Sequence, residues 1–209
     1  MDKYTSIEHP SIFEYEDRKS VFIGEAAPVT SEDEALSFIA HIKKKYPDAR
    51  HHVYAYVLRN NSLMRFSDDR EPQGTAGMPV LDVIRKNGCS DLVIVVTRYF
   101  GGTLLGTGGL VRAYTSAALG ALKEGNIITY DIYSSLKIEV SYSDYQKLSS
   151  LLTQCGFTTD DVKYTDKVVL LGRILKEGLD DFVKKLIELT SGRHEMEILE
   201  HKFDYLPAK

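Results

Sequence analysis

The second half of the chain constrains the fold most. Leu136 to Val140 alternates as a strand. Ser143 to Gln154 has helical spacing, with Tyr145, Leu148, Leu151 and Leu152 on one side and Gly156 ending it. Phe157 to Tyr164 and Lys167 to Leu175 read as two strands around Thr165-Asp166. Leu179 to Leu189 is a second helix, with Phe182, Val183, Leu186 and Ile187 inward and Gly192 ending it. Glu195 to Phe203 is a last strand. The order βαββαβ is a split-βαβ, ferredoxin-like arrangement. That fold hosts many functions, so it says little about activity.

The first half is α+β with a different order. Ser20 to Val29 reads as a strand. Ser31 and Glu34 form a capping box, each satisfying a backbone donor of the other, and open a helix. Glu32, Asp33 and Glu34 sit at its positive end and Lys43, Lys44 and Lys45 at its negative end. Ala35, Ile39, Ile42 and Tyr46 form the apolar stripe, and Pro47 stops it. His52 to Leu58 is the next strand, and a turn at Asn60-Asn61 leads to a hairpin partner containing Leu63, Met64 and Phe66. Pro79 suits the first turn of a short helix ending at Gly88. Asp91 to Thr97 is the most apolar strand and reads as central. A glycine-rich loop from Gly101 to Gly109 follows, then a helix from about Leu110 to Lys123 ended by Gly125. The expected domains are 1–130 and 131–209, joined through Asn126 to Ser135.

Composition excludes several classes. The 209 residues suffice for a proper core, and a net charge of −4 gives no globally basic, DNA-coating surface. No apolar run is long enough to cross a membrane, and the acidic start predicts no secretory signal. Two cysteines, Cys89 and Cys155, make neither a disulfide framework nor a four-cysteine zinc site. A reducing cytoplasm is the expected location. Cys89 lies beside a helix-ending glycine with no evident base and reads as a buried, inert thiol.

Two segments carry candidate chemistry. Five of the nine residues from Gly101 to Gly109 are glycine, so backbone N–H groups can turn toward one point at the entrance to a helix. Gly101, Gly102, Thr103, Gly106, Thr107, Gly108 and Gly109, with Arg98 and Arg112 to add charge, are the candidate anion or nucleic-acid site. The Walker pattern fails because Thr107, not lysine, follows Gly106, and the dinucleotide pattern fails at Val111. A tight strand-to-helix turn is the alternative reading.

The second segment holds Asp68, Asp69, Glu71, Pro72, Gly74, Thr75, Ala76 and Gly77. Three carboxylates so close can hold a divalent cation or do acid–base work. Flanking proline and glycine favour a solvated or structural loop instead, with a binding surface at the exposed backbone of Gly74 to Gly77 as a further reading, so no metal, cofactor or catalytic residue is assigned. Replacing all three carboxylates by amides is accordingly expected to change stability by no more than about 1 kcal/mol. His51-His52 opens a strand, one side chain inward and one outward, without a ligand set at metal spacing.

The run Arg98-Tyr-Phe-Gly-Gly-Thr-Leu-Leu-Gly-Thr-Gly-Gly-Leu110 closely resembles the hallmark of the IMPACT/YigZ family. The run from Asp68 to Pro79 resembles its second hallmark, the segment from His52 to Val57 a third, and Lys19-Ser20-x-Phe22-Ile23 the way such proteins begin. The resemblance covers about residues 15 to 205, with Arg70 standing where a small residue is usual. It implies an N-terminal domain with the ribosomal-protein/elongation-factor βαβ fold, similar to domain IV of elongation factor G. It also implies a ferredoxin-like C-terminal domain similar to domain V of that factor. Eukaryotic members regulate translation through an initiation-factor kinase and carry an extra N-terminal interaction domain, so that partner is not expected to carry over to this chain.

The resemblance implies a non-enzymatic regulator of translation that binds RNA, the ribosome or a translation-related protein. A phosphate- or nucleotide-binding enzyme of small-molecule-kinase type, using Asp68, Asp69 or Glu71 as base or magnesium ligand, is the second expectation. A protein-interaction adaptor is the third.

Overall fold

The computed structural model describes residues 3–59 and 63–205. The chain divides into two compact units, one spanning Tyr4–Thr129 and one beginning at Tyr130.

In order, the first unit holds β1 (Tyr4–Ile7), β2 (Ser11–Asp17), β3 (Ser20–Pro28), α1 (Glu32–Lys45), β4 (His51–Leu58), β5 (Leu63–Ser67), α2 (Gly77–Lys86), β6 (Leu92–Tyr99) and α3 (Gly106–Glu124). A five-stranded sheet runs β2-β3-β6-β4-β5, antiparallel throughout. β6 is central, and Leu92 to Arg98 are all buried. Its side chains alternate between two cores. Ile94 and Val96 pack with α2 and α3 through Val80, Ile84, Ala113 and Tyr114. Val93 and Val95 pack with α1 through Ala35, Ile39 and Ile42. A strand apolar on both faces needs helices on both, and these supply them.

Several elements depart from the sequence reading. β1 and β2 have no counterpart in it. β2 hides because Ile12, Glu14 and Glu16 face solvent while only Phe13 and Tyr15 pack on the core. It joins β3 through Arg18 and Lys19, both at positive φ (47° and 64°), which suits the twist of a two-residue hairpin. At α1, Ser31 accepts from the Glu34 N–H, but the Glu34 carboxylate reaches back to the Thr30 N–H at 2.7 Å, one residue earlier than a capping box requires. α2 runs from Gly77 to Lys86, and Pro79 stands in its first turn as expected. α3 begins at Gly106, so the last four residues of the expected loop form a helical first turn. Gly125 ends α3 with ordinary helical φ, and Asn126 takes the left-handed conformation at φ 57°. The expected turn at Asn60-Asn61 lies outside the described residues.

The expected joining segment is instead part of one strand, β7 (Ile127–Val140). The second unit continues with α4 (Tyr142–Gln154), β8 (Thr158–Tyr164), β9 (Val168–Leu175), a single 3-10 turn over Lys176–Gly178, α5 (Leu179–Thr190) and β10 (Glu195–Asp204). Its antiparallel strands run β10-β7-β9-β8, the ferredoxin-like order. Leu136, Ile138 and Val140 pack against Leu148, Leu151, Phe182 and Leu186.

Candidate functional site

Both candidate segments end at helix N-termini, those of α2 and α3. Four orphan N–H groups and a partial positive charge make such an end attractive to anions.

At α2 the anion is internal. Asp68 accepts hydrogen bonds from the Gly74 N–H at 2.9 Å, the Ala76 N–H at 3.1 Å and the Gly77 N–H at 2.8 Å. The chain reaches this geometry by turning tightly. Asp69 and Arg70 stand at φ 39° and 70°, and the Glu71 N–H donates to the Asp68 carbonyl at 2.9 Å. Arg70 accepts this strained position while its guanidinium donates to the Arg50 carbonyl at 2.9 Å. Asp69 accepts from the His52 N–H at 2.6 Å, and its carbonyl lies 2.8 Å from His51 Nδ1. His52 is the inward member of the pair, its Nε2 3.0 Å from the Tyr46 carbonyl. Thr75 donates its hydroxyl to the Pro72 carbonyl at 2.6 Å.

Glu71 goes deepest. Its Oε1 accepts from Arg98 Nη1 at 2.6 Å and from the Tyr114 hydroxyl at 2.8 Å, and all three side chains are buried. Burial beside Glu71 pushes the Tyr114 hydroxyl pKa well up. The Arg98 guanidinium is also flanked by two rings, with centroids 5.3 Å away at Phe22 and 5.6 Å away at Phe100.

These contacts correct two expectations. Asp68 and Asp69 are half-buried and Glu71 is buried, and each is committed to a different protein partner, so the loop is the structural one of the two expected. Among the described residues no three His, Cys, Asp or Glu converge as a metal site. Amide substitution of all three is therefore expected to cost more than about 1 kcal/mol, because it turns one of the two accepting oxygens of Asp68 into a donor and removes the charge paired with the buried Arg98 guanidinium. Arg98, expected beside an anion, faces inward and is ion-paired.

The glycine loop is different. Gly102, Thr103, Leu104, Gly106, Thr107 and Gly108 are exposed, whereas Gly109 is buried. Leu105 supplies no side-chain cap to α3, and its first turn holds no acidic residue. Gly101 lies against the β2–β3 turn so closely that a Cβ there would sit 2.0 Å from the Lys19 carbonyl carbon. Its N–H donates to Ser20 Oγ at 3.0 Å, and Arg18 Nη1 reaches the Leu104 carbonyl at 3.4 Å. The exposed Arg18 and Lys19 are thus brought to the loop, and exposed Arg112 lies nearly two turns into α3. No Asp or Glu occurs between Asp91 and Glu124.

Arg18 and Tyr114 are not singled out by the sequence reading, and Lys19, Phe22 and Phe100 stand in its family-like runs without a site role. An internal tyrosine at a helical core position is the signal that marks Tyr114. Arg18 and Lys19 reach the loop through the β2–β3 turn, which no local pattern in the sequence marks. Cys89 is buried, and burial pushes its thiol pKa up to about 11; both cysteines are free thiols. No described helix is long and apolar enough to cross a membrane.

A family model described as the Impact N-terminal domain matches residues 18–122, and one described as a domain of unknown function (DUF1949) matches 138–193. The chain is 34% identical over 200 residues to the IMPACT family member YvyE of Bacillus subtilis, covering 95% of this chain and 89% of that protein. It is 32% identical over 186 residues to the IMPACT family member YigZ of Escherichia coli, covering 88% and 91%. To Protein IMPACT of Rattus norvegicus it is 33% identical over 94 residues, 43% of this chain and 30% of that protein. A solved crystal structure of a hypothetical protein is similar with TM-score 0.60 and 30% identity, over 96% of this chain and 98% of that one.

Proposed function

The chain belongs to the IMPACT family, and on that premise we propose that it is a non-enzymatic, cytoplasmic regulator of translation that binds RNA or a ribosomal partner through the loop between β6 and α3. The observation that carries this reading is the loop's pairing of exposed backbone at an uncapped helix start with three exposed cations, Arg18, Lys19 and Arg112. That combination suits phosphate, for which backbone N–H groups and flexible cations are ordinary partners. Against the kinase-type alternative stand the contacts of Asp68, Asp69 and Glu71, which accept hydrogen bonds from within the protein.

Fluorescence anisotropy of a labelled single-stranded RNA at several salt concentrations tests the proposal. Affinity is expected to fall as salt rises, with a slope of about −0.7 in log–log form per phosphate neutralised. Arg112→Ala should make the slope shallower by about that amount, whereas Arg98→Ala should lower stability through Glu71 and leave the slope alone. Co-sedimentation with ribosomes at low salt and release at high salt is the matching expectation for the assembly. Salt-independent or absent RNA binding by the wild type overturns the nucleic-acid reading.

A further inference from the structure

We propose that Phe100 is a stacking platform for an unpaired nucleobase, so that the loop takes single-stranded RNA in preference to duplex. This rests on the RNA-binding reading above and names its ligand class. Phe100 directly follows β6, seven of whose eight residues are buried, yet the Phe100 side chain is 53% exposed. An exposed ring at the end of a buried strand is fixed in place by the strand without being consumed by the core. Its support is a buried ion pair. The Arg98 guanidinium lies 5.6 Å from the ring centroid, Glu71 holds that guanidinium at 2.6 Å, and Tyr114 holds Glu71 at 2.8 Å. A ring propped on a buried ion pair gives up little freedom when a ligand covers it, which lowers the entropic cost of binding.

Its neighbourhood suits a nucleotide. Gly101, the next residue, is bonded to Ser20 beside the Arg18-Lys19 turn, so cations for a phosphate stand close to an apolar face for a base. Leu104, 81% exposed, extends the apolar surface along the loop. Aromatic side chains stack on unpaired bases because every base offers a π-face, whereas in a duplex those faces are already covered by neighbouring bases. A loop that bound phosphate alone would gain nothing from the ring.

The chain contains no tryptophan, so Phe100→Trp installs a single indole reporter at the proposed contact. The probes are an oligouridylate of about ten nucleotides, an RNA duplex of the same length, and inorganic polyphosphate. Oligouridylate is expected to quench the indole emission saturably, and duplex and polyphosphate are expected to leave it unchanged. Phe100→Leu, which keeps an apolar side chain but removes the ring, should weaken oligouridylate binding about tenfold in the wild-type background, with an unchanged salt slope. Arg112→Ala in the Phe100→Trp protein should change the slope and preserve quenching at saturation. Thermal melts of each variant confirm folding.

Wild-type-like affinity of Phe100→Leu, or equal binding of duplex and single strand, overturns the stacking role while leaving the RNA reading intact. Failure of wild type to bind any RNA overturns both. Quenching by polyphosphate places the effect on phosphate and overturns stacking.

Discussion

Two loops of the first unit lead into helices that pack on the same face of its sheet, and they treat their helix starts in opposite ways. The loop before α2 carries its own anion: Asp68 takes three backbone N–H groups, and Glu71 is sunk into an ion pair with Arg98. The loop before α3 supplies no side-chain cap and no first-turn carboxylate, and its surface is glycine, threonine and leucine beside cations. Both are rich in glycine and both would attract an anion, but only one is already satisfied. The difference teaches that a carboxylate near a helix start is commonly the site's occupant rather than a ligand for something else.

The largest test of this contrast is Glu71→Ala. It leaves the Arg98 guanidinium buried without its partner and should cost about 3–5 kcal/mol in chemical denaturation. A loss below about 1 kcal/mol would mean that the ion pair does not organise the loop. Asp68→Ala is next. It frees three N–H groups at the start of α2 and should cost about 2 kcal/mol, the upper range for a helix cap.

Alkaline unfolding sharpens the account of Tyr114. Its raised folded-state pKa means that the unfolded chain releases this proton first, from its ordinary value near 10. The stabilisation is therefore fully present below about pH 10 and declines above it, by about 1.4 kcal/mol per pH unit for one retained proton. Tyr114→Phe should lose stability less steeply with pH by that amount. Tyr56, pushed up to about 12 chiefly by burial, contributes to both proteins alike and does not enter the difference.

The smallest effect gives the α3 loop what the α2 loop already has. Thr107→Glu places a carboxylate on the first turn of α3 and should raise stability by about 0.3–1 kcal/mol. The same change should weaken oligonucleotide binding in the anisotropy titration. A variant that gains stability and keeps its affinity would remove the α3 terminus from the interface.

Much of the architecture is legible from periodicity. The βαββαβ order of the second unit follows from alternation, amphipathic spacing and turn residues between Leu136 and Phe203, all local properties. β6 is recognisable as central because every residue from Leu92 to Val96 is apolar. β2 is not, because a hairpin edge with Glu14 and Glu16 outward buries only Phe13 and Tyr15, too few side chains to stand out from an acidic leader. β7 reads as a five-residue strand because Asp131, Ser134 and Ser135 interrupt the alternation, whereas cross-strand hydrogen bonding tolerates them.

What the sequence alone determines here is where glycine, carboxylate and cation are available: Gly101 to Gly109, Asp68 to Glu71, Arg98 and Arg112. Which charges are used inside is decided by the tertiary structure. Arg98 and Glu71 are 27 residues apart, and Tyr114 is 43 from Glu71, so no local pattern pairs them. Only the packing of α3 on β6, with the acidic loop alongside, removes water from that point. Once it does, an isolated charge is too costly to keep, and Arg98 turns inward to its partner while Arg18, Lys19 and Arg112 remain in solvent.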